Sequence, residues 1–451
     1  MRGIRSTLAL LVIALLLGAY IYFVEADRPP AGTAEPLATV FEMNSDDIDS
    51  LSVTSTGGVH TKLQKTDDRW QLVEPFRGNV DVTKVVSLSS SLASLEMQRV
   101  VAEPEDAPNL EMFGLSAPRI EVGFTTTTDE DARLQIGERT PTGSDLYATV
   151  AASNRIFLIS GFLEDTFDQT TFDLRDKSIL DIVRNDVDAL EISGGDLSIR
   201  LEKDDSQWAL VRPIAAAADL GTTDGLVGRL STGQMVAVDA EDTDVLEPYG
   251  LNQPRVQVTV GLGSSAATLL VGGTAPDGTV YARDAARGLV FRVEESLVAE
   301  LGREADAYRR KDLFAFRPFN ATALQLTLDG ERWRFERTED DDGTDGWHRT
   351  SPDPGDVDQT SMDDLLAKLS NLRAEEFAAT REDTGLDTPT ATIEVTFDDD
   401  AKQERVVVGR RDDTVYAVSG DETGAARLNT RSWDDALEAL GPLRSTPDDA
   451  P

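Results

Sequence analysis

The chain has 451 residues, 82 acidic side chains against 43 Lys and Arg, a formal net charge of −39 and no cysteine. Such a surface repels phosphate backbones and anionic headgroups, which excludes nucleic acid as a partner. The missing cysteine excludes disulfides, thiol nucleophiles and thiolate metal sites.

The first element in chain order is apolar. Thr7 to Val24 carries no charge, and as a helix at about 1.5 Å per residue it reaches roughly 27 Å, enough to span a bilayer core. Arg2 and Arg5 precede it, while Glu25 and Asp27 follow. The positive-inside rule then predicts a single-pass anchor with the N-terminus in the cytoplasm and the bulk of the chain periplasmic or extracellular. Tyr20, Tyr22 and Phe23 stand where an interfacial aromatic belt belongs. The alternative, a cleaved signal peptide, fits less well because the apolar run is long and no small-x-small cleavage site follows it. Without cysteine there is no lipid attachment site.

After the anchor, one pattern occurs three times. Trp70-Gln-Leu-Val-Glu-Pro75 returns as Trp208-Ala-Leu-Val-Arg-Pro213 and as Trp347-His-Arg-Thr-Ser-Pro352, a spacing of 138 (208 − 70) and 139 (347 − 208) residues. Eleven residues after each tryptophan stands an aspartate, Asp81, Asp219 or Asp358, followed by leucines at helical spacing. Before each tryptophan lie short alternating runs, such as Leu51-Ser-Val53, His60 to Gln64 and Leu197 to Leu201. Period two predicts strands, and the proline closes the last of them. The aspartates read as N-caps. The buried stripe of the first helix is expected at Val85, Leu88, Leu92 and Leu95, and that of the third at Leu365, Leu366, Leu369 and Leu372. The middle helix carries Gly221, Gly225, Gly228 and Gly233; each costs up to about 1 kcal/mol against alanine, so it should be the weakest of the three.

The second half of each copy is equally regular. Gly114-Leu-Ser-Ala-Pro118 matches Gly250-Leu-Asn-Gln-Pro254 and Gly385-Leu-Asp-Thr-Pro389. Four strands are expected after it, including an apolar run with Gly137, Gly272 or Gly409 and another with Tyr147, Tyr281 or Tyr416. The predicted fold class is therefore α+β: an N-terminal transmembrane helix, then three homologous, mainly antiparallel sheet units each with one main helix. The expected divisions are 1–38 for the cytoplasmic stub, anchor and linker, 39–178, 179–313 and 314–443 for the repeats, and 444–451 for a polar tail. Units of this size can each bury a core.

The repeat also tests each stretch that looks like a chemical motif. Gly261-Leu-Gly-Ser-Ser-Ala266 has the outline of a dinucleotide loop, but a strand rather than a helix is expected after it and the other copies hold plain polar turns there. Glu339 to Gly346 places aspartates at alternate positions like a calcium loop, yet the twelfth position counted from Asp341 is Pro352 rather than glutamate; a lengthened solvated turn is expected. His60 and His348 have no partner at triad or metal-ligand spacing. The three tryptophans and three tyrosines are assigned to core packing rather than to a sugar platform, because each keeps its place in the repeat. No catalytic, cofactor or metal residue is predicted. The third copy departs twice, with Thr384 in place of Phe113 and Tyr249, and Arg349-Thr350 in place of Leu72-Val73 and Leu210-Val211. Looser packing or a different surface is expected there.

These marks, namely the Arg-flanked anchor ending in Tyr20-Ile-Tyr-Phe-Val-Glu25, Trp-x-Leu-x-x-Pro with the aspartate eleven residues on, Phe-Gly-Leu-x-x-Pro, and the Ile-Gly and Tyr-Ala strands, resemble a bacterial family of unknown function with one N-terminal helix and repeated ectodomain units. The resemblance implies association with ABC-2 type permeases and their ATPases and with gliding-motility-type auxiliary transport systems, and it carries over no catalytic residue. The functional expectation is a membrane-anchored, non-enzymatic envelope protein, an accessory ectodomain of an ABC-type transport system. The alternatives are an envelope polysaccharide or peptide hydrolase acting through carboxylates, and a structural or adhesive scaffold.

Overall fold

A computed structural model describes residues 37–151, 153–339, 345–378, 380–420 and 422–444. The predicted anchor Thr7–Val24 and most of the predicted calcium-like turn lie outside the described residues. Among the described residues no helix is long and apolar enough to cross a membrane.

Three nine-stranded sheets dominate. The first is built from β1 (Ile48–Thr54), β2 (His60–Thr66), β3 (Arg69–Glu74), β4 (Gly78–Asn79), β5 (Arg99–Ala102), β6 (Ile120–Thr126), β7 (Asp131–Arg139), β8 (Asp145–Val150) and β9 (Ile156–Ser160). The second contains β10 (Ala189–Gly194), β11 (Leu197–Asp204), β12 (Gln207–Arg212), β13 (Ala216–Ala217), β14 (Ala237–Ala240), β15 (Val256–Leu262), β16 (Ser265–Thr274), β17 (Val280–Asp284) and β18 (Val290–Val293). The third contains β19 (Ala321–Leu328), β20 (Glu331–Glu339), β21 (Asp345–Ser351), β22 (Gly355–Asp356), β23 (Ala374–Ala378), β24 (Ala391–Phe397), β25 (Lys402–Arg411), β26 (Thr414–Ser419) and β27 (Ala425–Leu428). The strand order β4-β3-β2-β1-β6-β7-β8-β9-β5 recurs in all three. Two hairpin meanders join through the first strand and the sixth, which pair antiparallel.

The long helix of each repeat lies in sequence between the two meanders: α1 (Val82–Ala93), α2 (Leu220–Thr232) and α3 (Gln359–Ser370). Its apolar stripe closes one face of the sheet. Val85, Leu88 and Leu92 of α1 share a core with Leu51, Leu63, Leu72, Val122, Leu134 and Ile136. Burying each such side chain is worth about 1.5–3 kcal/mol. The predicted stripe residues Leu95 and Leu372 are buried as well, just beyond the helix ends.

Two differences from the expected architecture stand out. The sequence predicts seven strands per copy, and nine form. The extra ones, such as β13 after Pro213 and β14 after α2, span two and four residues at the sheet edges, too short for a period-two signal. The expectation of one main helix per unit fails in the third copy. There α4 (Thr430–Arg444) adds a second long helix, whose Trp433, Ala436, Leu440 and Leu443 enter the same core as α3.

The chain divides into two compact units, one ending at Lys177 and the other beginning at Ser178. The first holds one sheet and the second holds two.

Candidate functional site

The repeat-defining residues each have a mechanical role, and the caps and turns are the same from copy to copy. Asp81, Asp219 and Asp358 cap α1, α2 and α3, their carboxylates accepting from the backbone N–H of Lys84, Thr222 and Ser361 at 3.1, 2.7 and 2.8 Å. Such a cap is worth about 1 kcal/mol. Pro75, Pro213 and Pro352 all follow cis peptide bonds. Trp208 and Trp347 are buried, whereas Trp70 is half-buried against the core of its sheet. The Trp208 indole N–H donates to Asp224 on α2 at 2.9 Å, and the Trp347 backbone exchanges hydrogen bonds with the Gln359 amide on α3.

A second constellation forms at the other meander. Gly114, Gly250 and Gly385 have φ of 70°, 67° and 74°, a left-handed conformation that glycine adopts without cost. Each packs against a glycine of the seventh strand of its sheet. A Cβ on Gly137 would stand 2.1 Å from the Phe113 carbonyl oxygen, one on Gly272 2.2 Å from that of Tyr249, and one on Gly409 2.5 Å from the Gly385 carbonyl carbon. Pro118, Pro254 and Pro389 then lead into the next strand. The residue after each donates to the residue before the paired glycine: Arg119 to Ile136, Arg255 to Val271 and Thr390 to Val408, all at 2.9 Å. Tyr147 and Tyr281 stand edge-on to Phe113 and Tyr249, with ring centroids 4.9 and 5.1 Å apart. In the third copy Thr384 turns its hydroxyl to the Arg381 carbonyl, and Tyr416 packs beside Leu386, Val418 and Ala425. All three tyrosines are half-buried.

The other departure of the third copy is explained by α4. Arg349 is only 3% exposed at the position of Leu72 and Leu210. Its guanidinium donates to the carbonyls of Leu443 and Arg444 at 3.1 and 2.8 Å and to that of Asp353 at 2.7 Å. The last carbonyls of α4 thus gain a cationic donor at the negative end of the helix dipole. A different partner, rather than looser packing, accompanies the substitution. Sequence reasoning missed α4 although Asn429 before Ser432, followed by apolar residues at three- and four-residue spacing, is a helix-start signal; the template of one helix per copy hid it.

The dinucleotide-like stretch and the two histidines resolve as folding elements. Gly261 to Ala266 is a tight hairpin, with Gly263 and Ser264 as the turn between the paired ends of β15 and β16. His60 Nδ1 lies 3.1 Å from the Thr54 hydroxyl across β1 and β2, and His348 Nδ1 lies 3.1 Å from the Asp356 carboxylate across β21 and β22. Among the described residues no group of three or more His, Asp and Glu side chains is placed to hold a metal ion.

Within the second compact unit the two sheets meet at a buried arginine. Arg309, 2% exposed, stacks 3.7 Å from the Phe377 ring centroid and faces Asp306 and Glu422 at 3.6 and 3.5 Å. Glu422 also accepts from the backbone N–H of Ala217 at 3.1 Å, and its own carbonyl accepts from Arg381. Glu404 adds a second tie, accepting from the Ala315 N–H at 2.7 Å and facing Arg310 at 3.5 Å. Arg175 holds the matching place in the first unit, 4.8 Å from the Phe76 ring, and Val80 bridges it as Ala218 bridges Arg309. Nearby, burial pushes the Tyr308 phenol up to about 12; its hydroxyl donates to the Glu300 carbonyl at 3.2 Å. Gly221, Gly225, Arg229 and Arg303 border a hollow of about 170 Å³ beside it.

A concavity borders this joint. A cleft of about 780 Å³ runs along β12 and β13, lined by Ala209, Val211, Ala215 and Ala217 together with Asp204, Asp205 and Glu422. No motif in the sequence marks it, because Glu422 reaches it from a loop more than two hundred residues further along the chain.

Sheets of one order, capped, turned and closed by the same residues, define a protein of repeated antiparallel sheet-and-helix units. One family model, a domain of unknown function (DUF4340), matches residues 70–213 and again 208–389. The matches cover more than half of the chain, which belongs to that family. Each begins on a repeat tryptophan, Trp70 or Trp208, so the family unit is offset from the sheets. No curated protein and no solved structure matches the chain.

Proposed function

We propose that this chain is a membrane-anchored, non-enzymatic scaffold of the bacterial envelope, serving as the accessory ectodomain of an ABC-type transport system. The observation that supports it is the sameness of the copies. The residues kept at fixed places in the repeat act as caps, turns, close contacts and core, so the repetition builds surface rather than a reaction centre. The apolar run Thr7–Val24 supplies the anchor, and the ABC-2 type permease and its ATPase are the proposed partners. The net charge of −39 suits a solvated ectodomain that avoids anionic headgroups.

The test is affinity purification of the full-length protein from crosslinked native membranes in mild detergent, followed by mass spectrometry. Recovery of an ABC permease with its ATPase, lost when a cleavable secretion signal replaces the anchor, is expected. Recovery of cell-wall material alone overturns the transporter assignment.

A further inference from the structure

The repeat itself shows that the cleft along β12 is unusual. Facing residues on the third and fourth strands of each sheet form a cross-strand pair: Gln71 with Asn79 in the first, His348 with Asp356 in the third, Ala209 with Ala217 in the second. In the third sheet the pair is joined by a hydrogen bond of 3.1 Å. Only the second sheet places two methyl groups there, and its trough is bounded further by Ala215 and Val211, the latter 40% exposed.

The chemistry of the trough is one-sided. Its lining includes Asp204, Asp205 and Glu422 and no lysine or arginine. Glu422 is engaged by Arg309 and the Ala217 N–H, whereas Asp204 and Asp205 form no ion pair among the described residues. β12 is six residues long, or roughly 20 Å at about 3.3 Å per residue. A small cation would leave the apolar lining uncovered, and phosphate polymers are repelled. An extended peptide covers both, with small apolar side chains on the alanines and basic ones towards the carboxylates. Strand addition is not the mode, since the outer edge of β12 is already taken by β13, with the Ala218 N–H on the Trp208 carbonyl at 3.0 Å.

We propose that this cleft docks an extended, cationic segment of a partner polypeptide. The charge of the whole chain steers such a segment towards it. The inference rests on reading the chain as a binding scaffold, not on the transport assignment.

The experiment uses the full chain in detergent and a fluorescent peptide, acetyl-Lys-Val-Lys-Ala-Lys-amide, with its Glu-for-Lys counterpart as control. Polarisation should show saturable binding with Kd on the order of 10⁻⁴ M for the basic peptide, weakening as salt rises, and none for the acidic one. Filling the trough with the residues of the first copy, Ala209→Gln with Ala217→Asn, should weaken binding about tenfold or more. Asp204→Asn with Asp205→Asn, which keeps a residue tolerant of the left-handed turn at 205, should weaken it severalfold and flatten the salt dependence. Unchanged affinity in both double variants, or no saturable binding to the native chain, overturns the proposal. Mass spectrometry of the peptide afterwards separates the two readings: cleavage that both variants abolish keeps the cleft and removes the non-enzymatic scaffold, whereas absent binding with intact permease recovery removes the cleft alone.

Discussion

Glycine serves two different purposes in this chain, and single substitutions tell them apart. Gly272 leaves no room for a methyl group because the Tyr249 carbonyl oxygen would lie 2.2 Å from it, so Gly272→Ala forces backbone to move. A loss of about 2–3 kcal/mol is expected. Gly225 in α2 has nothing within 4 Å of the place an added methyl group would occupy and no positive φ. Gly225→Ala should therefore stabilise the protein by about 0.5–1 kcal/mol through helix propensity. Thermal melts of both variants beside the native chain check the pair. Tyr308 offers a pH test. Its folded pKa of about 12 lies above the ordinary value of 10.0. The unfolded state therefore loses this proton first as pH rises, and stability falls between pH 10 and 12. One of the seven tyrosines should ionise late in an absorbance titration of the folded chain, and Tyr308→Phe should remove that late step.

At the scale of the element, α4 depends on a residue far away in sequence. Arg349 supplies three donor contacts to backbone carbonyls, two of them at the end of α4. Arg349→Ala leaves those carbonyls without a cation and opens a buried space, at a cost of about 2–4 kcal/mol. Hydrogen exchange of residues 430–444 should accelerate more than that of α1, in a separate compact unit. Equal protection in the variant would show that the Trp433, Leu440 and Leu443 packing holds the helix by itself. The contrast with α1 and α2 is instructive. Their N-terminal caps were legible from Asp81 and Asp219 because a cap is a local interaction, written within three residues.

The whole molecule combines three similar sheets in two compact units. Within the unit that begins at Ser178, Arg309 and Glu422 tie the second sheet to the third. Calorimetry of the full chain should show the second and third sheets unfolding together. Arg309→Ala, which removes the ring contact and leaves Glu422 without its buried cation, should broaden or split that transition. An unchanged transition would assign the coupling to the Glu404 contacts instead.

The amino-acid sequence by itself determined the three-fold repetition, the helix that follows each aspartate, the aspartate caps, the turn glycines and the seven longer strands of each sheet. All of these are written in short-range periodicity or local backbone preference, and the 138-residue period displays each of them three times. Tertiary structure decided the rest. The two- to five-residue edge strands exist only because a neighbouring strand offers partners. A buried arginine at 349 makes sense only once the end of α4 is seen above it. The cleft along β12 is made by alanines that are unremarkable in sequence and by a glutamate from a distant loop, whose approach is fixed by packing between sheets and not by anything near it in the chain.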